Sequence, residues 1–443
     1  MENKITGLLK EPDRAAMLQK LDSMNEVDLA AELERLDERD VVKVFRMLAK
    51  DKAADVFAYL NSDVQQNIVE TITDQEIGGI IDELFLDDAV DFIEEMPANV
   101  VRKVLANVTR DRRELINHFL KYPEDSAGSI MTIEYVDLKS DMTVADAFAR
   151  IRSIGTNKET IYTCYVIDGE RRLIGMVTAK TLFLSPKESL INNVMESNVV
   201  SVGTHDDKEA LMNSFRKYGY LALPVVDSEN RLVGIVTFDD ALTVQEEEAT
   251  EDFERMAAMR PSEDPYLKTG VLAMSKNRII WLLLLNLSVF VSGAIVSRFD
   301  EMLAVLPVLV TFIPLLMDTS GDAGSQSSTL IIRGMALDEI RVSDALKVYF
   351  KELRVGLICG GILAVINCAR LILFGSSFAV ALTVSLALLI TVILAKTVGA
   401  LLPIGARLVK LDPAVMAGPV LTTIVDAVAL IIYFSIARII LHV

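Results

Sequence analysis

Apolar residues return at a twelve-residue interval through the front of the chain, at Leu36, Leu48, Leu60, Ile72, Leu84, Met96, Val108 and Leu120. Four positions before each, from Leu48 onward, stand Val44, Val56, Ile68, Ile80, Phe92, Val104 and Ile116, and an i, i+4 pair of this kind marks one face of a short helix. Turn formers and N-cap residues recur between them, at Asn61-Ser62, Thr73, Pro97 and Thr109. The pattern predicts a run of brief helices separated by sharp bends, an all-α solenoid over residues 1–127. From there to residue 244 the texture changes. CYVIDGERRLIGMVT (Cys164 to Thr178) matches LPVVDSENRLVGIVT (Leu223 to Thr237), and segments beginning at Met131 and Met195 echo one another. Each unit reads as an apolar helix followed by two β-branched strands, joined by turns at Asp168-Gly169 and Ser228-Glu229-Asn230. A third texture covers residues 245–276, where QEEEATEDFERMAAM (Gln245 to Met259) predicts an acidic connecting helix stopped by Pro261 and Pro265.

The remainder, residues 277–443, predicts five membrane spans: Ile279 to Val296, Met302 to Ile332, Val355 to Phe374, Ala379 to Leu402 and Ala414 to Ile440. The connection between the second and third carries Arg333, Arg341, Lys347, Lys351 and Arg354, whereas those after the first and third carry only Arg298 and Arg370. The positive-inside rule puts the basic connection in the cytosol, the N-terminus with it, and the C-terminus outside. The fold class is therefore a multidomain membrane protein, with an all-α solenoid, an α/β tandem repeat and an α-helical transmembrane domain.

Charge sharpens the division. Residues 1–276 hold 52 acids against 32 bases, and residues 277–443 hold 10 against 12. Such an acidic hydrophilic part argues against nucleic acid and for cations or basic partners. The opening MENKITGLLKEPDR lacks the apolar core of a signal peptide. Cys164, Cys359 and Cys368, like His118, His205 and His442, show no metal-ligand spacing, which fits a reducing compartment and gives no support to a zinc or haem site.

Three features carry chemistry. Asp426 sits near the midpoint of the last span, where a carboxylate costs roughly 2.5–3.5 kcal/mol and normally faces water or a partner. A structural alternative is a hydrogen bond to Thr422 or Thr423. In the second span, Asp318, Gly321, Asp322, Gly324, Ser325 and Gln326 predict a break in the helix, with freed carbonyls as hard oxygen ligands and a polar pathway shared with Asp426; for the glycines alone, close helix packing is the alternative. In the solenoid no Lys or Arg occurs from Ala53 to Val101, while twelve acids do. Asp87 and Asp91 share a helix face on which a divalent ion could be bridged. Lys396, inside the fourth span, needs a partner such as Asp322 or a route for its head to the interface.

The tandem strand-turn-strand units resemble a cystathionine-β-synthase (CBS) pair. That resemblance implies an α/β sensor module with an adenosine-nucleotide (ATP-type) site, Thr237 and Asp240 standing at the ribose- or phosphate-contacting positions; ion binding and a purely structural pair are the alternatives. The whole chain resembles the MgtE-type magnesium channels and transporters, most sharply in Pro314 to Gln326, which looks like P-x5-G-G-N-x-G-x-Q, and in Asp412-Pro413 and Gly418-Pro419 through Asp426. Ser320 and Asp322 depart from that pattern. The resemblance implies a homodimer in the cell membrane, not an enzyme, with its pore on the two-fold axis. Asp426 would select Mg2+, with Asp318, Gly321 and Asp322 as pore-lining candidates. It also implies closure by cytosolic Mg2+, with regulatory ligands at Asp87, Asp91, Asp227, Asp240, Glu248, Glu251 and Asp252. Thr243 replaces one acidic position of the pattern. Preference for Co2+ or another metal is an alternative. An intramembrane aspartyl protease is a rival of another class, disfavoured because Asp426 lacks a preceding Tyr and Asp322 lacks the Gly-x-Gly context. A nucleotide sensor without transport is a second rival.

Overall fold

The computed structural model describes residues 14–262, 266–267 and 269–442; the start of the opening segment and Pro265 lie outside them. The chain falls into two compact units, Met1–Val244 and Gln245–Val443.

The first unit begins with α1 (Arg14–Ser23), then eight helices: α2 (Glu26–Leu33), α3 (Glu38–Phe45), α4 (Lys50–Ala58), α5 (Ser62–Thr71), α6 (Asp74–Glu83), α7 (Leu86–Glu95), α8 (Ala98–Asn107) and α9 (Arg110–Phe119). From α2 each starts twelve residues after the one before, so the apolar repeat is also a repeat of helix starts. Asn61 accepts from the Val64 amide at the start of α5, and Thr73 with Glu76 forms a reciprocal capping box on α6. Pro97 and Thr109 occupy N-cap positions with no side-chain cap bond. Helices pack mainly on the second one along, α2 on α4, α4 on α6, α6 on α8, with α3 on α5 and α7 on α9. The i, i+4 residues Val44, Val56, Ile68, Phe92, Val104 and Ile116 all line the core.

The tandem repeat follows. In its first half β1 (Val136–Lys139) precedes α10 (Val144–Ile154), β2 (Thr163–Ile167), β3 (Leu173–Thr178), α11 (Ala179–Leu184) and α12 (Ile191–Val194). In the second half β4 (Val202–Gly203) precedes α13 (Lys208–Tyr218), β5 (Ala222–Val226) and β6 (Leu232–Thr237). Each half is a three-stranded sheet, β1-β2-β3 or β4-β5-β6, whose first pair is parallel and second antiparallel. The hairpins fall where the turns were expected. Asp168 Oδ1 accepts from the Glu170 and Arg172 amides, and Asp227 Oδ1 accepts in the same way from Glu229 and Arg231. The leading strand of each half is the addition: β1 is the short alternating run Val136-Asp137-Leu138-Lys139, and β4 is only two residues long.

The acidic helix is longer than its composition suggested. α14 (Phe238–Met256) begins directly after β6 and ends well before Pro261, where Ala258 turns the backbone left-handed at φ 57°. The proline stop is therefore corrected: the chain has already left the helix.

The second unit contains α15 (Val271–Ser297), α16 (Asp300–Val305), α17 (Ile313–Ala336), α18 (Ala345–Leu373), α19 (Phe378–Leu408) and α20 (Pro419–Leu441). Among the described residues four helical segments are long and apolar enough to cross a membrane, Val271–Ser297, Val342–Leu373, Phe378–Leu408 and Ala414–Leu441. The expected second span is instead three pieces, α16, a 3-10 turn over Pro307–Phe312, and α17. The break thus lies at Pro307, which lacks an amide hydrogen, and not among the glycines: α17 runs unbroken through Gly321 and Gly324. α19 is the centre of the bundle, packed against α17, α18 and α20, while α17 also packs on α20.

Candidate functional site

Continuity of α17 decides what its polar residues can do. Asp318, Asp322 and Gln326 follow each other at i, i+4 and i+8, so they form one stripe along the helix, and all three are exposed. Between them Ser320, Gly321, Ala323, Gly324, Ser327 and Ser328 are buried against the rest of the bundle. The small residues set the packing. A Cβ on Gly399 of α19 would stand 2.3 Å from the carbonyl oxygen of Gly324, an approach open only to glycine. Gly321 makes an ordinary contact, with 3.6 Å from such a Cβ to Thr422 Cγ2 on α20. Its carbonyl belongs to a regular helix, so the expectation of freed backbone ligands is corrected: the oxygens offered by this helix are carboxylates and amides.

Asp426 lies on α20, the helix packed beside α17, and Asp318 is the charge that acts on it. Among the described residues no hydrogen bond reaches the Asp426 carboxylate, and Thr422 Oγ1 donates to the Gly418 carbonyl at 3.2 Å. Lys396, on α19, is 5% exposed and donates to Gln326 Oε1 at 3.2 Å and to the Ala323 carbonyl at 3.5 Å. No carboxylate lies within ion-pair distance of it among the described residues, so Asp322 is not its partner. Ser327 Oγ donates to Glu352 Oε2 of α18 at 2.6 Å, a polar link that no sequence pattern announced.

A second acidic centre lies in the first unit. Asp87 and Asp91 sit one turn apart on α7, Asp87 buried and Asp91 exposed. They are joined by Asp88 of the same helix, by Glu159 ahead of β2, and by Asp240 at the start of α14. Burial, then the charges of Asp88, Asp240 and Glu159, raises the Asp87 carboxyl well above the usual carboxylate range. Burial, with Asp240 and Asp239 next, pushes Asp88 up to about 7. Glu159 is likewise pushed to about 7 by burial, then by Asp240 and Asp88. Arg112 opposes this on Asp88, yet its Nη2 is committed to the Leu84 and Phe85 carbonyls at 2.5 and 2.9 Å. Asp88 was visible among the twelve unneutralised acids. Glu159 was not, because it stands alone in the connection between α10 and β2, outside the segments whose residues match between the two halves.

Other expected ligands stand elsewhere. Asp227 is held by its hairpin turn and its charge acts on Tyr122. Thr237 Oγ1 donates to Asp240 Oδ2 at 2.5 Å. A hydroxyl beside a carboxylate suits the hydroxyls of a ribose and disfavours a phosphate. Glu248, Glu251 and Asp252 lie on α14, where Arg255 binds Glu251 one turn away and also reaches Asp412, ahead of α20. Glu251 is thus tied to an arginine. Among the described residues no three His, Cys, Asp or Glu side chains converge at ligand distance from one point.

Comparison with known proteins identifies the domains that carry these residues. Family profiles match as "Divalent cation transporter" over residues 313–436, "MgtE intracellular N domain" over 24–125, and "CBS domain" over 127–186 and 191–247. The chain is 34% identical to the magnesium transporter MgtE of Thermus thermophilus, across 98% of this chain and 97% of that one. It is 29% identical to the magnesium transporter MgtE of Bacillus subtilis, across 99% and 97%. Among solved structures it is similar to the cytosolic domain of the Mg2+ channel MgtE in complex with ATP, at 33% identity and TM-score 0.51, covering 54% of this chain and 98% of that one. It is also similar to the soluble part of a magnesium transporter, at 26% identity and TM-score 0.52, covering 56% and 95%. The chain belongs to the MgtE family of divalent cation transporters.

Proposed function

We propose that this protein is a magnesium-selective channel or transporter of the cell membrane, working as a homodimer and closed by Mg2+ on its cytosolic side. One observation carries the reading: α17, packed among helices apolar enough to cross a membrane, exposes Asp318, Asp322 and Gln326 as a continuous polar stripe whose first member acts on Asp426. Lipid cannot face such a stripe, so it must line water or meet another polar surface. A second copy of the chain related by a two-fold axis supplies that surface and encloses a path lined by two sets of carboxylates. This arrangement makes α16, the 3-10 turn and α17 together the second of five spans. The basic connection after α17 then lies in the cytosol, with the N-terminus inside and the C-terminus outside.

Mg2+ holds its water firmly, so carboxylates on the path act on the hydrated ion through outer-sphere contacts. Its double charge gains twice the attraction of a monovalent ion at equal distance. No thiol or imidazole stands in the stripe, which favours hard ions over softer metals. The second centre acts as the sensor. Asp87, Asp88, Asp91, Glu159 and Asp240 repel one another unless protons or divalent ions neutralise them, so cytosolic Mg2+ favours the state in which they are gathered. Glu248 and Asp252 on α14 are further candidate ligands. An adenosine nucleotide bound at the CBS pair would place its ribose at Thr237 and Asp240. The solved ATP complex of a relative's cytosolic domain supports nucleotide binding in this part of the chain.

Purified protein in liposomes tests the transport reading. Mg2+ flux should be present in the wild type, fall when Mg2+ is raised on the cytosolic face, and be lost in Asp426→Asn. Wild-type flux and selectivity in that variant would defeat the pathway.

A further inference from the structure

Lys396 is a cation in the middle of a membrane bundle with nothing in the transport scheme to explain it. It lies twelve residues before the end of α19, about 18 Å along the helix, whereas a lysine side chain reaches roughly a third of that. Its head is turned inward, onto partners on α17, and away from both helix ends. It is 5% exposed, and the close crossing of Gly399 over Gly324, one turn further along, presses this part of α19 against α17. The ammonium is directed onto Gln326 Oε1 and the Ala323 carbonyl. Gln326 is the third member of the exposed stripe that begins with Asp318 and Asp322. A buried positive charge thus reaches the polar stripe from behind.

We propose that Lys396 is a positioning and affinity-setting residue for the transported ion. Its ammonium orients Gln326 and supplies a fixed positive charge at the end of the stripe nearer the basic connection, so that a divalent ion drawn in by Asp318 and Asp322 is released instead of held. The inference rests on the transport pathway proposed above. Asp322 and Gln326 are four residues apart, about 6 Å along the helix, which puts an ion at Asp322 roughly 10 Å from the lysine head. Even in a water-like dielectric a unit charge at that distance alters divalent occupancy about fourfold. A purely structural lysine would change the amount of folded protein or the maximal flux and leave the half-saturating concentration alone.

The test is Mg2+ flux against Mg2+ concentration for full-length protein in liposomes. It compares wild type with Lys396→Met, Lys396→Gln and Lys396→Arg, each first checked for a monodisperse dimer-sized or monomer-sized peak in detergent. Lys396→Met and Lys396→Gln should both lower the half-saturating concentration by about fourfold or more and reduce maximal flux, while Lys396→Arg should half-saturate near the wild type. Asp322→Asn should shift half-saturation upward, and Asp322→Asn combined with Lys396→Gln should return toward wild type, which keeps a reading available if Lys396→Gln alone misfolds. Unchanged half-saturation in the folded Met and Gln variants would overturn the proposal. So would Gln behaving as wild type while Met does not, since hydrogen bonding would then suffice. Asp426→Asn in the same series reports on the pathway itself, so failure of that reading is seen separately.

Discussion

Replacing Asp88 by Asn removes one negative charge from the acid cluster without changing its shape. The Asp88 carboxyl moves from 3.8 to about 7 on folding, with burial as the main cause and Asp240 and Asp239 next. Ionised at pH 8, such a group costs the folded state about 4 kcal/mol relative to the unfolded chain. The replacement gives back part of this gain, because an acid in the first turn of α7 also favours the helix by about 0.3–1 kcal/mol. A net stabilisation of about 3 kcal/mol at pH 8 remains, or about 6–12 °C in midpoint for a unit of this size. The sign follows from the direction of the shift. A raised carboxyl is no burden below the unfolded value near 4, and becomes a full one once pH rises through the folded value near 7. Thermal unfolding of residues 1–262 in chelator should show wild-type stability declining between pH 5 and pH 8. Asp88→Asn should be flatter over that window and more stable at its upper end. Millimolar Mg2+ at pH 8 should stabilise the wild type and do so less for the variant, since the ion takes over the role of the proton. A midpoint that falls in Asp88→Asn at pH 8 in chelator, or a wild type that gains stability from pH 5 to pH 8 without divalent ions, would refute the reasoning.

Asp426→Asn should reduce Mg2+ flux at least about tenfold while leaving the detergent-solubilised protein folded, because removing an intramembrane charge relieves a cost; flux and thermal melting together check it. Asp87→Asn combined with Asp91→Asn should shift inhibition by cytosolic Mg2+ to higher concentration, and Asp63→Asn on α5 should do much less, as read from flux curves at graded internal Mg2+. Gly399→Ala should destabilise the bundle by about 1–3 kcal/mol, since its Cβ would meet the Gly324 carbonyl oxygen at 2.3 Å. Gly405→Ala, with nothing within 4 Å, serves as the neutral control in the same melting experiment.

Periodicity revealed those elements whose packing repeats. The twelve-residue return of apolar residues gave the helix array, and the matching CYVIDGERRLIGMVT and LPVVDSENRLVGIVT segments gave both hairpins with their turns. What escaped had no local signature. β1 and β4 are short parallel strands whose partners arrive a full helix later; β1 alternates over only four residues and β4 has two, too few to announce so distant a pairing. The glycines of α17 read equally well as a helix break or as a crossing point. Only the position of Gly399 on another helix decides for the crossing. Asp426 and the pair Asp87 and Asp91 were legible because each breaks a local rule, a charge in an apolar span or acids without bases. Glu159 breaks none, and joins the cluster only through the tertiary fold.

The even spacing of helix starts has a consequence for how this protein can change. Because each helix rests on the one two places along, a single-residue insertion inside a helix would turn the rest of that helix by about 100° against its neighbours. Substitutions are absorbed locally, but length is not. The array behaves as a ruler graduated in twelves, and α7 carries Asp87 to its meeting with Glu159 and Asp240 only at the right count from the following sheet. Whole units added before α7 would leave that meeting intact. A unit added between α7 and β1 would move the sensor out of register while every helix remained well formed.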